Sequence, residues 1–306
     1  MTSTIGLIGL GAMGGGMAQS LRRAGFTLNV YDVRAEAAQA FARDGGTACA
    51  TLAELGRNSE VVVCVVVNAA QTEAVLFGTD GTPGCAAAMK PGSVFVMCST
   101  VDPNWSIALE ARLAEKGILY LDAPISGGAA KAASGEMTMM TAGSPEAYAK
   151  AGAALDAMAA KVYRLGDKAG AGSKVKIINQ LLAGVHIAAA AEAMALGLRE
   201  GVAAEALYEV ITHSAGNSWM FENRMAHVLA GDYTPLSAVD IFVKDLGLVL
   251  DTARASKFPL PLASTAHQMF MQASTAGFAR EDDSAVIKIF PGIELPSPSN
   301  ADKNKP

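Results

Sequence analysis

The feature that most constrains the fold is an alternation of short β-branched runs with amphipathic segments over the first ~120 residues. The run from Val61 to Val67 contains six valines interrupted only by Cys64, which is typical of a strand covered on both faces of a parallel sheet. Further strands are expected at 4–9, 27–31, 93–97 and 118–121, with helices at 12–24, 36–43, 71–76 and 106–116. This alternation predicts a doubly wound α/β sheet.

The pattern becomes helical after Leu165. The segment 171–198 contains no proline and is rich in Ala, Leu and Ile, which predicts one helix of about 42 Å at 1.5 Å per residue. Shorter helices are expected at 204–213, 221–230, 238–256 and 261–276. Before Leu165, two further strands are expected at 136–141 and 161–165, on either side of a helix at 145–159. The polar end, 296–306, predicts a disordered tail.

A glycine-rich turn joins the first predicted strand to the first predicted helix. Its sequence is G-L-G-A-M-G, formed by Gly9, Leu10, Gly11, Ala12, Met13 and Gly14. The first glycine permits a tight turn, the second lets the backbone approach a pyrophosphate, and the third lets the helix pack on the strand. The helix N-terminus favours the anion. A turn without a ligand is the alternative, but the strand-turn-helix context predicts a dinucleotide site.

The end of the second strand indicates which dinucleotide is bound. Asp32 follows Gly9 by 23 residues, and a carboxylate there accepts hydrogen bonds from the ribose of NAD and repels the 2′-phosphate of NADP. Arg34 leaves NADP open, because a guanidinium can hold that phosphate, but the pattern favours NAD. Two other strand ends should border the same cleft. They carry Val67, Asn68 and Thr100, although helix capping is an equal alternative for the two polar residues.

These observations predict a chain of two domains. The first is an α/β Rossmann N-terminal domain at 1–168, and the second is an all-α domain at 199–295 for substrate binding and oligomerisation. A long interdomain helix, 169–198, joins them, and 296–306 forms the tail.

The junction between the domains carries the strongest catalytic pattern. It reads G-A-G-S-K-V-K-I-I-N-Q from 170 to 180. Because residues three and four apart share a helix face, Lys176, Asn179 and Gln180 should point one way. Lys174 lies about 200° around the helix from Lys176 and should face elsewhere. A lysine on a helix is usually a solvated charge, but the adjacent amides favour a functional Lys176.

Four blocks in order identify a resemblance that covers nearly the whole chain. They are the glycine turn, D-A-P-I-S-G-G at 122–128, the junction at 170–180 and F-V-K-D-L at 242–246. With them the chain resembles the β-hydroxyacid dehydrogenase family, which includes 3-hydroxyisobutyrate dehydrogenase and tartronate semialdehyde reductase. Together the blocks are highly specific, although each alone is not.

The resemblance implies a role for each block. Lys176 matches the catalytic general acid/base lysine, and Ser126, Gly127 and Gly128 match the loop that holds the substrate carboxylate. Lys244 matches a lysine that reaches the cofactor and substrate from the helical domain. The family often has two asparagines after the catalytic lysine. Here the second is Gln180, which is one methylene longer. The resemblance implies that Asn179 and Gln180 bind the substrate, and Asn179 should also orient Lys176 or the reacting hydroxyl.

The segment A-G-N-S-W-M-F-E-N-R at 215–224 narrows the expected class of substrate. It is similar to the subfamily that oxidises L-threonate, a four-carbon sugar acid, at its 2-hydroxyl with NAD. Asn217, Ser218, Trp219 and Arg224 are then candidates for reading the polyol end of the substrate. The alternatives are core packing for Trp219 and an ion pair of Arg224 with Glu222 or Asp240.

Other functions remain open at this point. The same scaffold can reduce tartronate semialdehyde or oxidise 3-hydroxyisobutyrate, and a cleft for an apolar substrate would need fewer polar groups at 218–224. Imine reduction is also possible, although those relatives usually lack the lysine. A catalytically inactive dehydrogenase-like binding module is opposed by the presence of Lys176, Asn179 and Lys244.

Composition excludes several classes of partner. The net charge is −5, so the basic footprint of a nucleic-acid-binding protein is absent, and a small anionic hydroxy acid needs a local positive site. The four cysteines form no C-x-x-C pair, which opposes a disulfide framework or a metal site. No Asp or Glu stands in an obvious orienting relation to any of the four histidines, so we expect these to be structural.

The sequence also indicates where the protein is located and how it assembles. No run approaches the roughly 18 to 20 uncharged apolar residues of a membrane span, and no signal peptide is evident, so we expect no membrane association and a cytoplasmic enzyme. The Ala-rich long helix and the apolar helical half favour a homodimer or homotetramer.

Overall fold

The computed structural model describes residues 4–79 and 81–297. The chain divides into two compact units, Met1–Lys176 and Ile177–Pro306. Residues 296 and 297 lie in neither a helix nor a strand. The rest of the predicted disordered tail, 298–306, lies outside the described residues.

The first unit alternates strands and helices in the predicted way. Its elements up to residue 97 are β1 (Thr4–Ile8), α1 (Ala12–Arg23), β2 (Thr27–Tyr31), α2 (Ala35–Arg43), β3 (Thr47–Ala48), α3 (Leu52–Arg57), β4 (Val61–Cys64), α4 (Ala69–Phe77), β5 (Gly78–Thr79), β6 (Thr82–Pro83), a 3₁₀ turn (Cys85–Ala87) and β7 (Val94–Met97). The remaining ones are α5 (Pro103–Ala114), β8 (Leu119–Asp122), β9 (Ile125–Ser126), α6 (Gly128–Ser134), β10 (Met137–Gly143), α7 (Pro145–Met158), β11 (Ala159–Arg164) and the start of α8 (Ala171–Arg199).

A single large sheet orders the first unit. Its strand order is β11-β10-β8-β7-β4-β1-β2-β3, and β9 pairs with β10. From β8 to β3 all neighbours are parallel, whereas β10 runs antiparallel to β8. In β4, Val61 and Val63 enter one buried cluster and Val62 and Cys64 enter another. Both faces of the strand are therefore covered, which is the property that the valine run predicts.

A shortened strand and an unpredicted helix are among the departures of this unit from the sequence expectations. The strand predicted at Val61–Val67 ends at Cys64, because the chain then turns towards α4, whose N-terminus is capped by Asn68. Helix α3 was not predicted. Its signal was a capping box, in which Thr51 Oγ1 accepts a hydrogen bond from Glu54 N (3.1 Å) and Glu54 Oε2 accepts one from Ala50 N (2.8 Å).

The second unit is helical. It contains the rest of α8, α9 (Ala204–Thr212), α10 (Trp219–Ala230), α11 (Val239–Ala255), α12 (Pro261–Ala273), a π turn (Ser274–Phe278) and a 3₁₀ helix (Asp283–Ile289). The predicted helix 261–276 therefore gives way to a π turn after Ala273, with Gly277 at φ 102°. The predicted fold class, a Rossmann-like α/β domain and an all-α domain with a long connecting helix, is confirmed.

Helix α8 is both long and apolar. By length and composition alone it could cross a membrane, with a hydropathy of 1.7 over its best window, which corrects the expectation that no run comes close. However, Ile187, Ala191 and Met194 on this helix are almost completely buried in the core of the second unit. Packing inside a protein core thus accounts for the apolar composition of one face of α8.

Candidate active site

The glycine turn between β1 and α1 has the conformation that its sequence requires. Gly9 has φ +91°, and a Cβ there would collide with the carbonyl oxygen of Val65. A Cβ on Gly14 would collide with the carbonyl oxygen of Gly9. Both glycines are therefore needed for the strand, turn and helix to approach one another.

Gly11 differs from both, and this difference tests whether the turn fits a dinucleotide. No heavy atom lies within 4 Å of the position that its Cβ would take, so packing inside the protein does not explain a glycine there. The N-terminus of α1 has neither a side-chain cap nor an acidic residue in its first turn. An open backbone beside uncapped N–H groups fits a pyrophosphate.

Asp32 is fixed beside this turn. Its Oδ2 accepts a hydrogen bond from Leu10 N (2.7 Å), and its Oδ1 accepts one from Arg34 N (2.9 Å). Burial opposes ionisation of Asp32, but these two backbone donors and the Arg34 guanidinium, with Nε 3.4 Å from Oδ1, outweigh it and lower the pKa. The carboxylate is thus held ionised next to the turn, and it pairs with the arginine that could otherwise hold a 2′-phosphate.

The two neighbouring strand ends contribute backbone and small polar groups. Because β4 and β7 follow β1 in the sheet, their carboxyl ends lie at the same edge as the glycine turn. Asn68 Oδ1 accepts from Gln71 N (2.9 Å) and caps α4, and Val67 N donates to Gln71 Oε1 (2.9 Å). The capping alternative for Asn68 is therefore observed. Thr100 comes three residues after the end of β7 and is half-buried.

Asp122, at the end of β8, ties the sheet to the first turn of α8. It is fully buried and accepts hydrogen bonds from Gly170 N (2.8 Å), Ser173 N (2.9 Å) and Ser173 Oγ (2.6 Å). Burial raises the pKa of Asp122, although these donors oppose the rise. Gly172 lies so close that a Cβ would stand 2.8 Å from the Asp122 carbonyl oxygen. Sequence reasoning missed this anchor, because only the fold shows which amides a buried carboxylate meets.

The S-G-G turn begins in β9 and leads into α6. Ser126 is paired with Thr138 in the sheet, and it is followed by two glycines with positive φ, Gly127 (+135°) and Gly128 (+76°). Side chains rarely adopt such angles, so the turn requires both glycines. Sequence analysis expected a loop here and missed α6, because its small-residue sequence lacks spaced apolar positions.

The start of α8 separates its two lysines as helical geometry predicts. Lys176 is 7% exposed and Gln180 is 8% exposed, whereas Lys174 is exposed. Asn179 is half-buried. Lys176, Asn179 and Gln180 thus occupy one face of the helix.

A chain of polar contacts in the second unit connects α8 with α11. Asn179 Nδ2 donates to Gln180 Oε1 (3.1 Å), and Gln180 Nε2 donates to Asp245 Oδ2 (2.5 Å). The other oxygen of Asp245 lies 2.5 Å from Lys244 Nζ. This contact is an ion pair, and Oδ1 accepts no hydrogen bond among the described residues. Two of the predicted site residues, Gln180 and Lys244, are therefore joined by Asp245, which was not singled out from the sequence.

The residues expected to read a polyol have mixed roles. Ser218 Oγ accepts from Phe221 N (3.0 Å) and caps α10, and Asn217 Nδ2 donates to Thr212 O (3.1 Å). Trp219 is 54% exposed, so the core-packing alternative is wrong. No contact among the described residues joins Ser218 to Lys244 or Asp245.

Arg224 belongs to a buried ion pair instead of an open site. Its Nε lies 2.5 Å from Asp283 Oδ1, so the expected alternatives Glu222 and Asp240 are not its partners. Burial raises the pKa of Asp283 to about 7, although Arg224 opposes the rise. We therefore withdraw Arg224 as a reader of the substrate.

The remaining titratable side chains give no sign of a second centre. His227 Nδ1 lies 3.7 Å from Asp282 Oδ1, a pairing that the spacing along the sequence did not indicate. The cysteines are buried, and burial raises the pKa of Cys85 and Cys98 to about 12 each. Over 4–79 and 81–297, no group of three His, Cys, Asp or Glu side chains is placed to hold a metal ion.

Comparison with known families agrees with this geometry. Residues 4–166 match the family model described as the NAD binding domain of 6-phosphogluconate dehydrogenase. Residues 170–290 match the model described as the NAD-binding domain of NADP-dependent 3-hydroxyisobutyrate dehydrogenase. The first match covers most of the first unit, and the second match covers most of the second unit.

Individual relatives are similar over nearly their full length. The chain is 70% identical to an L-threonate dehydrogenase of Cupriavidus necator, over 97% of this chain and 99% of the relative. It is 53% identical to an L-threonate dehydrogenase of Escherichia coli, over 95% and 96%. A solved structure of a 3-hydroxyisobutyrate dehydrogenase from Salmonella typhimurium superposes with a TM-score of 0.89 at 54% identity, covering 94% of this chain and all of that one.

Proposed function

The chain belongs to the β-hydroxyacid dehydrogenase family of NAD-dependent oxidoreductases acting on CH–OH groups, and from this premise we propose that it oxidises L-threonate to 2-dehydro-L-erythronate. The 70% identity to an L-threonate dehydrogenase over nearly the whole chain is the observation that carries the choice of substrate. The buried Lys176 on the first turns of α8 is the observation that carries the choice of base.

The reaction removes one hydrogen from C2 of the substrate and one from the oxygen of its 2-hydroxyl. The C2–H bond breaks with its electron pair, the O–H bond of the 2-hydroxyl releases a proton, and a C=O double bond forms. NAD, when bound, accepts the hydride. The neutral amine of Lys176 takes the proton, becomes an ammonium and later returns that proton to solvent. In the reverse direction the ammonium donates it to the carbonyl oxygen.

The surroundings of Lys176 support this role. A lysine that acts as a base must lose its own proton first, and burial disfavours the charged form of a lysine. Asp122 holds the backbone of Gly170 and Ser173, and Ser173 is one helical turn before Lys176. The base therefore extends from a helix terminus that is fixed to the sheet. Asn179, on the same face, orients the amine or the reacting hydroxyl.

The substrate carboxylate needs donors and positive charge. We assign it to the Ser126 hydroxyl and to the N–H groups of Gly127 and Gly128, with Lys244 supplying the cation. Gln180 and Ser218 are the further groups assigned to the substrate side. NAD is held by residues at four strand ends: Gly9, Leu10, Gly11, Ala12, Met13, Gly14, Asp32, Val67, Asn68 and Thr100, with Lys244 at the nicotinamide side.

A spectrophotometric screen at 340 nm tests the proposal. The purified protein is assayed with NAD and with NADP against L- and D-threonate, D- and L-erythronate, D-glycerate, L-serine and 3-hydroxyisobutyrate. We expect activity with L-threonate and NAD, and weak activity with NADP because of Asp32. Activity confined to glycerate or 3-hydroxyisobutyrate would keep the family and remove L-threonate as the substrate.

The proposed enzyme works as a homodimer or homotetramer in the cytoplasm. Support for assembly comes from the surface of α8, where Ile178, Leu182 and Leu196 are 60%, 51% and 62% exposed. Residues 178, 182 and 196 repeat at whole helical turns and form one apolar stripe. Light scattering coupled to size-exclusion chromatography measures the oligomeric state, and a monomer at micromolar concentration would overturn this part of the proposal.

A further inference from the structure

We propose that Gln180 and Asp245 form a clamp that positions Lys244 and Asn179 for the reaction, an inference that rests on the proposed function for the identity of the site. The clamp is the polar chain from Asn179 through Gln180 and Asp245 to Lys244. Beside its place on the substrate side, Gln180 is then a positioning residue, which acts through its neighbours Asn179 and Asp245.

The burial of Asp245 explains why the clamp holds. Asp245 is 2% exposed, and a buried carboxylate is costly unless each oxygen finds a donor or a cation. Gln180 satisfies one oxygen and Lys244 the other. Removing either partner leaves a buried oxygen without compensation, so the three side chains stabilise one arrangement.

The clamp restricts two groups that would otherwise move. Lys244 has four rotatable bonds, yet its ammonium is held by the adjacent residue on α11 while its side chain stays 22% exposed. Asn179 donates its Nδ2 to Gln180, which turns its Oδ1 the other way as an acceptor. A fixed cation and a fixed acceptor are what an oriented hydroxy acid requires.

The length of Gln180 is the decisive feature. The side chain of asparagine is one methylene, about 1.5 Å, shorter. At the observed 2.5 Å, an asparagine amide on the same backbone would lie about 4 Å from Asp245, beyond hydrogen-bonding distance. The length of glutamine at 180 therefore matches that of aspartate at 245. If residue 180 is shortened to asparagine, lengthening residue 245 to glutamate should restore the contact.

Exchange of one methylene between the partners tests the clamp. Gln180→Asn removes a methylene, Asp245→Glu adds one, and the double variant keeps their sum. We expect each single variant to lower kcat/KM about 10- to 100-fold, the scale of a displacement near 1 Å. We expect the double variant to recover most of that loss. Gln268→Asn, on the exposed face of α12, is the matched control and should keep wild-type activity.

The chemical reactivity of Lys244 gives a readout that does not depend on the substrate. An amine-directed reagent is applied to the protein without substrate, and modification is quantified by peptide mass spectrometry relative to the exposed Lys174. We expect Gln180→Asn to raise the relative modification of Lys244 several-fold and the double variant to return it towards the wild-type value. Melting temperatures of all variants separate this effect from general unfolding.

The possible outcomes are distinct. Additive losses in the double variant, or unchanged Lys244 reactivity in Gln180→Asn, would overturn the clamp even if the wild type oxidises L-threonate. A melting temperature that falls in Gln180→Asn while kcat/KM stays constant would reduce the contact to a structural one. A wild type inactive towards L-threonate removes the proposed function alone, since the reactivity measurement still decides on the clamp.

Discussion

The glycine turn of the first unit and the clamp of the second unit prepare their sites in different ways. At the turn, backbone conformation creates the site, since Gly9 and Gly14 are required by packing and Gly11 leaves space. In the clamp, side chains 65 positions apart in the sequence meet in a buried network. A site built from local backbone leaves a short, readable motif, whereas one built from distant side chains does not.

The predictability of each region follows from this difference. Three features could be predicted from the sequence because local geometry fixes them. They are the G-L-G-A-M-G spacing, the strand that leads to Asp32, and the face that Lys176, Asn179 and Gln180 share on α8. Asp245 and Asp122 were not singled out, although both stand inside the quoted blocks. Their roles depend on which amides or cations the fold brings to them, and spacing along the chain does not encode this.

The role of Arg224 also depends on a tertiary contact that the sequence does not show. From its segment, Arg224 is a candidate for contacting the polyol end of the substrate, with an ion pair to Glu222 or Asp240 as the alternative. The fold instead places Asp283, 59 residues away, against its guanidinium. Only the tertiary contact identifies the carboxylate with which Arg224 pairs.

The largest expected effect concerns the proposed base, Lys176, on the first turns of α8. Lys176→Ala should lower kcat by about 10²- to 10⁴-fold, the range of general acid–base catalysis, while the dissociation constant of NAD changes little. Lys174→Ala, two residues away on the exposed face, is the control and should keep its turnover. Normal turnover in Lys176→Ala would remove this residue from the mechanism.

A pair of glycine substitutions sharpens the account of the turn. Gly14→Ala forces a Cβ against the Gly9 carbonyl and should lower the free energy of unfolding by about 1–3 kcal/mol. Gly11→Ala has open space, so stability should stay constant while NAD binds roughly tenfold more weakly, the scale of one lost hydrogen bond. Denaturant unfolding and fluorescence titration with NAD measure the two effects. Equal loss of stability in both variants would contradict the distinction.

A pH dependence of stability is expected in the second unit. The pKa of Asp283 is raised by burial to about 7, above its unfolded value of about 3.9. The folded state therefore binds this proton more tightly than the unfolded state, and ionisation of Asp283 should lower the free energy of unfolding as the pH rises from about 4 to 7. Unfolding curves across this range test the sign.

Two variants isolate that contribution. Asp283→Asn should remove this part of the slope, although it also leaves Arg224 without its carboxylate and lowers stability overall. Asp251→Asn, whose side chain is 62% exposed, is the control and should keep the slope of the wild type. An identical slope in Asp283→Asn and the wild type would show that Asp283 does not titrate in this range.

The central claim is that a hydride leaves C2 of L-threonate for NAD, and an isotope label tests it most directly. L-Threonate carrying deuterium at C2 is oxidised by the enzyme, and both products are examined by mass spectrometry. The account predicts that the deuterium is transferred to the reduced nicotinamide and that the acid product is the unlabelled 2-oxo acid. Unlabelled NADH together with a product that retains deuterium at C2 would contradict it.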